Sequence, residues 1–163
     1  KIVYRPLPSS SMPYSDSYKI VLGILILDEE GNPIVKKYYT NGFPTSESQT
    51  AFEQKIFKKF KPSNNKEETT IGILDQYIIV GRAGNDCSVF FFGSEKENEM
   101  ILITAMDGFY EALKLMLKDK IERNEILKKM PSMFVLMDEL CDAGVLKEID
   151  AGILVRNAEM RLK

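Results

Sequence analysis

The sequence predicts an α+β domain in which a five-stranded antiparallel sheet is covered by helices on both faces. Two apolar runs, residues 23–27 and 89–92, do not alternate with polar residues. Strands with that pattern are buried on both faces of their sheet. Acidic residues, a glycine and an asparagine at 28–32 separate the first run from the next apolar residues, as in a β-hairpin. After Glu97 the apolar spacing changes to that of helices.

The N-terminal part of the chain contains an extension and the first hairpin. Residues 1–17 carry three prolines and three consecutive serines, which predicts a flexible extension. We expect the two hairpin strands at residues 18–27 and 34–40. Ser46 and Gln49 then have the spacing of a capping box, which begins a helix.

In that first helix, one face is apolar and the other is charged. Phe52, Ile56 and Phe60 are spaced to lie on the apolar face. Glu53 is expected on the outward face, together with three lysines. Pro62 is expected to end the helix.

Three short strands are predicted next, at residues 69–74, 77–80 and 87–92, with a turn at residues 81–86 before the last of them. A long, well-patterned helix follows from about Glu97.

The last predicted helix spans residues 124–142. Five consecutive apolar residues at 133–137 indicate that more than one surface buries it. Pro131 should either kink this helix or mark a restart in a first helical turn. Ala143 and Gly144 are expected to end it.

Composition limits the classes of partner and compartment. The 163 residues fit one domain, and 22 basic residues against 24 acidic residues give a net charge of −2. Because DNA-binding and RNA-binding proteins carry a clustered basic excess, we expect no nucleic-acid partner. Two cysteines without a signal peptide fit a reducing compartment better than a disulfide framework. No apolar run approaches the roughly 18 residues needed to cross a bilayer, so we expect a soluble, cytoplasmic chain that is not transmembrane.

Histidine, the residue that most often acts as general acid or base in enzymes, is missing. The chain has no histidine, which excludes Ser-His-Asp and Cys-His catalysis and histidine-bound zinc. Residues 81–84 are glycine-rich but lack the Lys-Ser/Thr of a phosphate loop. Residues 28–30 are acidic, but calcium loops need ligands at more positions, so a charged hairpin tip is favoured. We therefore expect no catalytic residue, no cofactor and no metal site.

Four blocks of the sequence, in order, resemble one known family. They read ILILDEEGNPIVKKYY, AFEQKIF, FFFGSEKENEM and LMDELCDAGV. These blocks are similar to the small chains of vesicle coats, the coatomer zeta and clathrin adaptor sigma subunits. The resemblance implies a longin (profilin-like) domain over residues 18–157, preceded by the extension and followed by a tail at 158–163. It also implies a sheet order of 2-1-5-4-3, with one helix on one face and two on the other.

The resemblance to zeta subunits implies a non-catalytic structural role in the coatomer (COPI) coat. Such a subunit packs on the helical N-terminal trunk of the coatomer gamma subunit, within a coat of seven subunits. An Arf-type GTPase recruits that coat to Golgi membranes for retrograde Golgi-to-ER and intra-Golgi transport. The expected localisation is the cytoplasm, on Golgi membranes and coated vesicles.

Four residues are candidates for the partner interface: Tyr38, Tyr39, Val135 and Leu136. The two tyrosines end the second strand and are expected to be exposed. Val135 and Leu136 lie in the all-round apolar helix, where two interpretations stay open. They either contact a permanent partner or complete the core of the chain itself.

Two other functions are weighed against this one. A sigma-type adaptor would help bind dileucine sorting signals in a small apolar pocket. The corresponding positions here are acidic or bulky, which argues against that activity: Asn85, Asp86, Cys87, Tyr110 and Lys120. A small-molecule-binding or enzymatic domain on a profilin-like scaffold is disfavoured by the missing histidine.

Overall fold

The computed structural model describes residues 19–61 and 64–163, which form a five-stranded antiparallel sheet with helices on both faces. The strands are β1 (Gly23–Asp28), β2 (Pro33–Tyr38), β3 (Thr70–Leu74), β4 (Tyr77–Ala83), β5 (Cys87–Ser94), β6 (Cys141–Asp142) and β7 (Val145–Leu146). The helices are α1 (Ser46–Lys59), α2 (Glu99–Met116), α3 (Arg123–Lys128), α4 (Met130–Leu140) and α5 (Ala151–Arg161). The sheet order is β2-β1-β5-β4-β3, with β6 and β7 as a separate hairpin. The predicted fold class and strand order are confirmed.

Strand β1 pairs with β2 on one side and β5 on the other, and apolar residues cover both of its faces. Ile24 and Ile26 belong to the core formed with α2, α4 and α5. Leu25 and Leu27 belong to the opposite core, beneath α1. This division explains why the first apolar run does not alternate with polar residues.

Helix α1 covers one face of the sheet. The three residues predicted to face the core are buried there: Phe52, Ile56 and Phe60. The capping box lies one residue earlier than predicted. Thr45 Oγ1 accepts a hydrogen bond from the Ser48 N–H at 3.1 Å, and the Thr45 N–H donates to Ser48 Oγ at 3.2 Å. The Ser46 and Gln49 prediction is wrong because Ser46 is already helical.

One predicted boundary in the N-terminal half differs from the structure, and two other predictions there are not tested by it. Strand β1 begins at Gly23 because the Ile20 and Val21 N–H groups donate to the Gly144 carbonyl, at 2.9 and 3.1 Å. The extension at residues 1–17 and the helix-ending Pro62 lie outside the described residues.

Strand β4 extends through part of the turn predicted at residues 81–86. Gly81, Arg82 and Ala83 pair with residues of β5, so the turn consists of residues 84–86. The glycine at 81 resembled a turn residue, but cross-strand pairing decides its conformation.

The segment predicted as one helix at 124–142 forms two, α3 and α4, with Lys129 between them. Pro131 lies in the first turn of α4, where its missing N–H costs no helical hydrogen bond, and the predicted restart is confirmed. Within the described ranges, no helix combines the length and apolar character required to cross a bilayer.

Helix α5 is absent from the sequence prediction. It packs against α2 and α4, and its Leu154 and Ala158 are buried in the core. The helix continues past Asn157, where the sequence prediction ended the domain and began a tail. The buried Ala158 makes the first part of that tail a packed element of the fold.

Ala143 and Gly144 form the two-residue turn between β6 and β7 rather than the helix end, since α4 already ends at Leu140. Both have positive φ, 50° and 92°. Two consecutive positive φ values are those of a type I′ hairpin turn, which favours Asn-Gly.

We expect Ala143→Asn to stabilise the protein by about 0.5–1 kcal/mol, because asparagine adopts the left-handed conformation more readily than alanine. Urea unfolding measures the change. The matched variant Gly144→Ala should destabilise, since its φ is 92° and the added Cβ would lie 2.6 Å from the Val21 carbonyl oxygen. Equal stability of the three proteins would contradict the turn geometry.

Candidate partner interface

Tyr38 lies on the α1 side of the sheet and is partly buried. Its hydroxyl donates to Glu53 Oε2 at 2.7 Å, and Lys36 Nζ lies 3.3 Å from the same oxygen. Burial and the Glu53 carboxylate raise the pKa of Tyr38. Glu53, predicted to point outward, is only 1% exposed. That prediction is wrong because two residues of β2 form hydrogen bonds to the carboxylate, which offset the loss of water.

Tyr39 points to the opposite side of the sheet and is buried in the core with α4. Its hydroxyl lies near the Cys141 thiol. Burial is the main cause that raises the pKa of Tyr39, and the Cys141 thiol is the second. The expectation that Tyr38 and Tyr39 are exposed together is wrong. Consecutive residues at the end of a strand face opposite sides, so these two tyrosines form no common surface.

Val135 and Leu136 are also separated by the packing of α4. Leu136 is fully buried, whereas Val135 is half-buried at the edge of the same core. The neighbouring Phe134 is the exposed aromatic residue of this helix. Of the four sequence candidates, Tyr38 and Val135 therefore keep part of their surface accessible.

Three of the residues that the sequence analysis compared with a dileucine pocket have hydrogen-bond partners within the chain. Asp86 Oδ1 accepts the Arg123 N–H at 2.8 Å, and the Asn85 amide donates to Glu122 at 2.7 Å. The Tyr110 hydroxyl donates to the Ala83 carbonyl at 2.7 Å. The cavity beside Tyr110 is about 60 Å³, whereas ligand pockets commonly measure roughly 300–1,000 Å³. A separate cavity of about 590 Å³ lies between Asp86, Arg123 and the acidic hairpin tip.

Arg82 closes this region from the side of the sheet. Its Nε and Nη2 donate to the Lys66 carbonyl at 3.0 and 2.8 Å, and its Nη1 lies 3.3 Å from Asp107. The guanidinium lies 3.8 Å from the centre of the Tyr110 ring. This nearly buried cation ties the loop before β3 to β4 and α2.

We expect Arg82→Lys to destabilise the protein by about 1–2 kcal/mol, although the charge is kept, because an ammonium cannot make the forked pair of hydrogen bonds. Thermal unfolding measures the loss. Lys114→Ala serves as the control, since its pair with Glu111 is exposed and should contribute less than about 0.5 kcal/mol. Equal effects of the two changes would contradict the role of Arg82.

The acidic hairpin tip has internal partners. Asp28 Oδ1 accepts the Glu30 and Asn32 N–H groups, both at 2.9 Å. In the part of the chain that the structure describes, no group of three or more cysteine or acidic side chains is arranged to hold a metal ion.

The comparison with known families decides which family this fold represents. The family described as clathrin adaptor complex small chain matches residues 20–163. The chain belongs to the clathrin adaptor small-chain family. This small chain is 36% identical over 146 residues to coatomer subunit zeta-2 of Arabidopsis thaliana, which covers 90% of this chain and 82% of that protein. The predicted resemblance is confirmed.

Animal relatives of this small chain carry the same description. Coatomer subunit zeta-1 of Bos taurus is 32% identical over 141 residues, covering 86% of this chain and 77% of the relative. The fold also matches a chain of a structure described as a homology model of the full-length AP-3 complex in a stretched open conformation. That match has a TM-score of 0.65 and 13% identity, and it covers 88% of this chain and 94% of the other.

The exposed apolar residues of this small chain form surfaces that the sequence prediction missed. Leu115 near the end of α2 and Met160 on α5 are 58% and 67% exposed. Ile71 and Ile73 lie on the edge strand β3. The sequence alone could not predict that Leu115 and Met160 share a surface, because this depends on the packing of α5 against α2. For β3, the alternation of Ile71 and Ile73 with Thr70 and Gly72 was the available signal.

Both cysteines of this small chain are buried free thiols. Burial raises the pKa of Cys87 to about 12, with the nearby Asp86 charge as the next cause. Burial also raises the pKa of Cys141. Because the thiolate is the reactive form, neither thiol has the character of a nucleophile.

We expect both thiols to be unreactive towards Ellman's reagent in the native protein at mildly alkaline pH and reactive after unfolding in guanidinium. The folded state holds the Cys87 proton more tightly than the unfolded chain does. Its contribution to stability is therefore complete below about pH 8.5 and is lost as pH rises towards about 12. Fast labelling of the native protein would contradict the burial of these groups.

Proposed function

We propose that this chain is a non-catalytic small structural subunit of a coatomer vesicle coat that packs on the trunk of the gamma subunit. The observation that carries the proposal is the 36% identity to a coatomer zeta subunit over 90% of the chain. The internal hydrogen bonds of the acidic tip and the raised thiol pKa values support a structural rather than a chemical role.

The site of action proposed is the cytoplasmic face of Golgi membranes and coated vesicles, in retrograde Golgi-to-ER and intra-Golgi transport. The subunit would reach the membrane through the rest of the coat and, indirectly, an Arf-type GTPase. Support for this proposal comes from the coatomer names of plant and animal relatives. Tyr38 and Val135 remain proposed contacts of the partner, because each keeps accessible surface.

Co-expression with a gamma-trunk fragment tests the proposal. Gel filtration with light scattering should give a complex with one copy of each chain, stable at micromolar concentration. Separate elution of the two chains at that concentration would contradict the proposed function. Enzymatic turnover by the purified chain would contradict its non-catalytic part.

The alternative is a sigma-type adaptor subunit that helps bind dileucine signals. It is supported by the family description, which names the clathrin adaptor complex small chain. The small size of the cavity beside Tyr110 and the acidic lining of the cavity beside Asp86 weigh against binding of an acidic dileucine signal. A fluorescent dileucine peptide titrated onto the heterodimer decides the matter. No saturable binding is expected, whereas binding that is lost in Asp86→Ala or Tyr110→Ala would favour the alternative.

A further inference from the structure

A concave apolar surface lies where the end of α2 meets the α3–α4 junction and α5. Leu115, Met116, Pro131 and Leu162 line a cavity of about 400 Å³ there. A second cavity of about 360 Å³ adjoins it along α5, lined by Val155 and Met160, among others. The two cavities share Leu115 and Glu159 and are therefore adjacent, and together we call them the α2–α5 groove.

The α2–α5 groove has a basic rim. Five cations line its two cavities: Lys118, Lys128, Lys129, Arg156 and Lys163. Glu159 is the single acidic residue among the lining residues of these two cavities. The whole chain carries a net charge of −2, so the groove is locally positive although the chain as a whole is slightly negative.

The rim cations differ in whether they already have a partner within the chain. Lys128 pairs with Glu125 at 3.0 Å, and Lys129 Nζ donates to the Met116 carbonyl at 3.0 Å. Among the described residues, Lys118 and Arg156 have no ion pair at all. Lys118 follows the end of α2 and has a positive φ of 54°, so the chain leaves the helix direction at this residue.

An apolar floor with a basic rim is complementary to an amphipathic helix that presents leucine-type side chains flanked by acidic residues. The concave shape fits the side chains of a helix better than a flat lipid surface. We propose that the α2–α5 groove binds an acidic amphipathic helix of the large coat subunit. This inference rests on the proposed function, and it adds a second contact surface for the gamma trunk to the proposed contacts at Tyr38 and Val135.

The groove is separate from the region that corresponds to a dileucine pocket. The residues that line the cavity near Tyr110 do not recur among those that line the α2–α5 groove. Substitutions in the groove therefore leave the other region intact, and the two activities can be tested independently.

Calorimetric titration of the purified chain with a gamma-trunk fragment tests the inference. The double variant Leu115→Glu/Met160→Glu should weaken binding roughly tenfold or more, because exposed apolar anchors are replaced by charges that repel an acidic helix. Both wild-type side chains are more than half exposed, so the fold should be kept, which circular dichroism and the melting temperature verify. Ile73→Glu is the matched control, since Ile73 is 55% exposed on β3, and its binding should equal that of the wild type.

The charge of the rim is tested by Lys118→Glu/Arg156→Glu. We expect this variant to bind more weakly, and its affinity should vary less with salt concentration than that of the wild type. Wild-type affinity that does not change with salt would overturn the acidic character of the occupant.

The remaining binding outcomes show whether the groove inference or the proposed function fails. If the wild type binds the trunk and the groove variants bind equally well, the inference fails while the proposed function stands. If the wild type does not bind the trunk, both fail. Sedimentation with phosphatidylserine vesicles tests a membrane occupant. Vesicle binding that the groove variants lose, together with unchanged trunk binding, would overturn the inference in favour of a lipid surface.

Discussion

Gly108→Ala should destabilise the protein by about 3 kcal/mol or more. Gly108 lies inside α2, where alanine would otherwise favour the helix. The added Cβ, however, would lie 2.3 Å from the backbone oxygen of Ile149 and 3.2 Å from its carbonyl carbon. The obstacle is backbone rather than a flexible side chain, so the segment that leads into α5 must move. That movement would disturb the packing of α5 on α2.

The helical glycine Gly152 provides the matched control for this prediction. It lies near the start of α5, and an added Cβ would meet only Asp150 Oδ1, at an ordinary contact distance of 3.4 Å. Gly152→Ala should therefore stabilise the protein by up to about 1 kcal/mol. Urea unfolding of both variants measures the difference. Similar stabilisation by the two substitutions would contradict the close approach of Ile149 to α2.

Leu136→Ala should destabilise the protein by about 3 kcal/mol, within the roughly 2–5 kcal/mol typical of such truncations. Leu136 is fully buried in the core that α4 shares with α2 and α5. Truncation removes buried methyl groups and leaves a cavity that close-packed neighbours fill only in part. The sequence left open whether this residue belongs to the core or to a partner surface, and its burial assigns it to the core.

Val135→Ala is the control at the neighbouring position. Val135 is only half-buried, so its truncation should cost less than about 1 kcal/mol. Thermal unfolding of the isolated chain measures both changes. A Leu136→Ala variant that is as stable as the wild type but binds the gamma trunk more weakly would contradict the core assignment.

The sheet was predictable because its evidence is local in sequence. The run at residues 23–27 shows two-sided burial directly, and the turn residues after it define the hairpin. Two-sided burial of β1 and β5 then requires helices on both faces. The order of the strands came from family resemblance rather than from these patterns.

The environments of Glu53 and Tyr39 were not predictable in this way. Glu53 has the position of an outward residue in α1, and it is buried because Lys36 and Tyr38 of β2 form hydrogen bonds to it from the face of the sheet that α1 covers. Tyr39 was predicted to be exposed together with Tyr38, although consecutive residues of a strand point to opposite faces of the sheet. That second error could have been avoided with the sequence alone.

Helix α5 illustrates a weak local signal. Only Leu154 and Ala158 are buried along it, so its apolar face is narrow. Asp150 gave a usable sign, because its side chain caps the helix by accepting the Ile153 N–H at 3.0 Å. Without α5 the groove beside Leu115 could not be inferred, since its second wall comes from this helix.

The most direct test of a structural role in the coat is the number of copies of this chain in the assembled coat. Coatomer purified from cells through a tag on its gamma subunit can be quantified by mass spectrometry with isotope-labelled peptides. We expect one copy of this chain for each copy of gamma. Absence of the chain, or recovery in trace amounts only, would contradict its identification as a coat subunit.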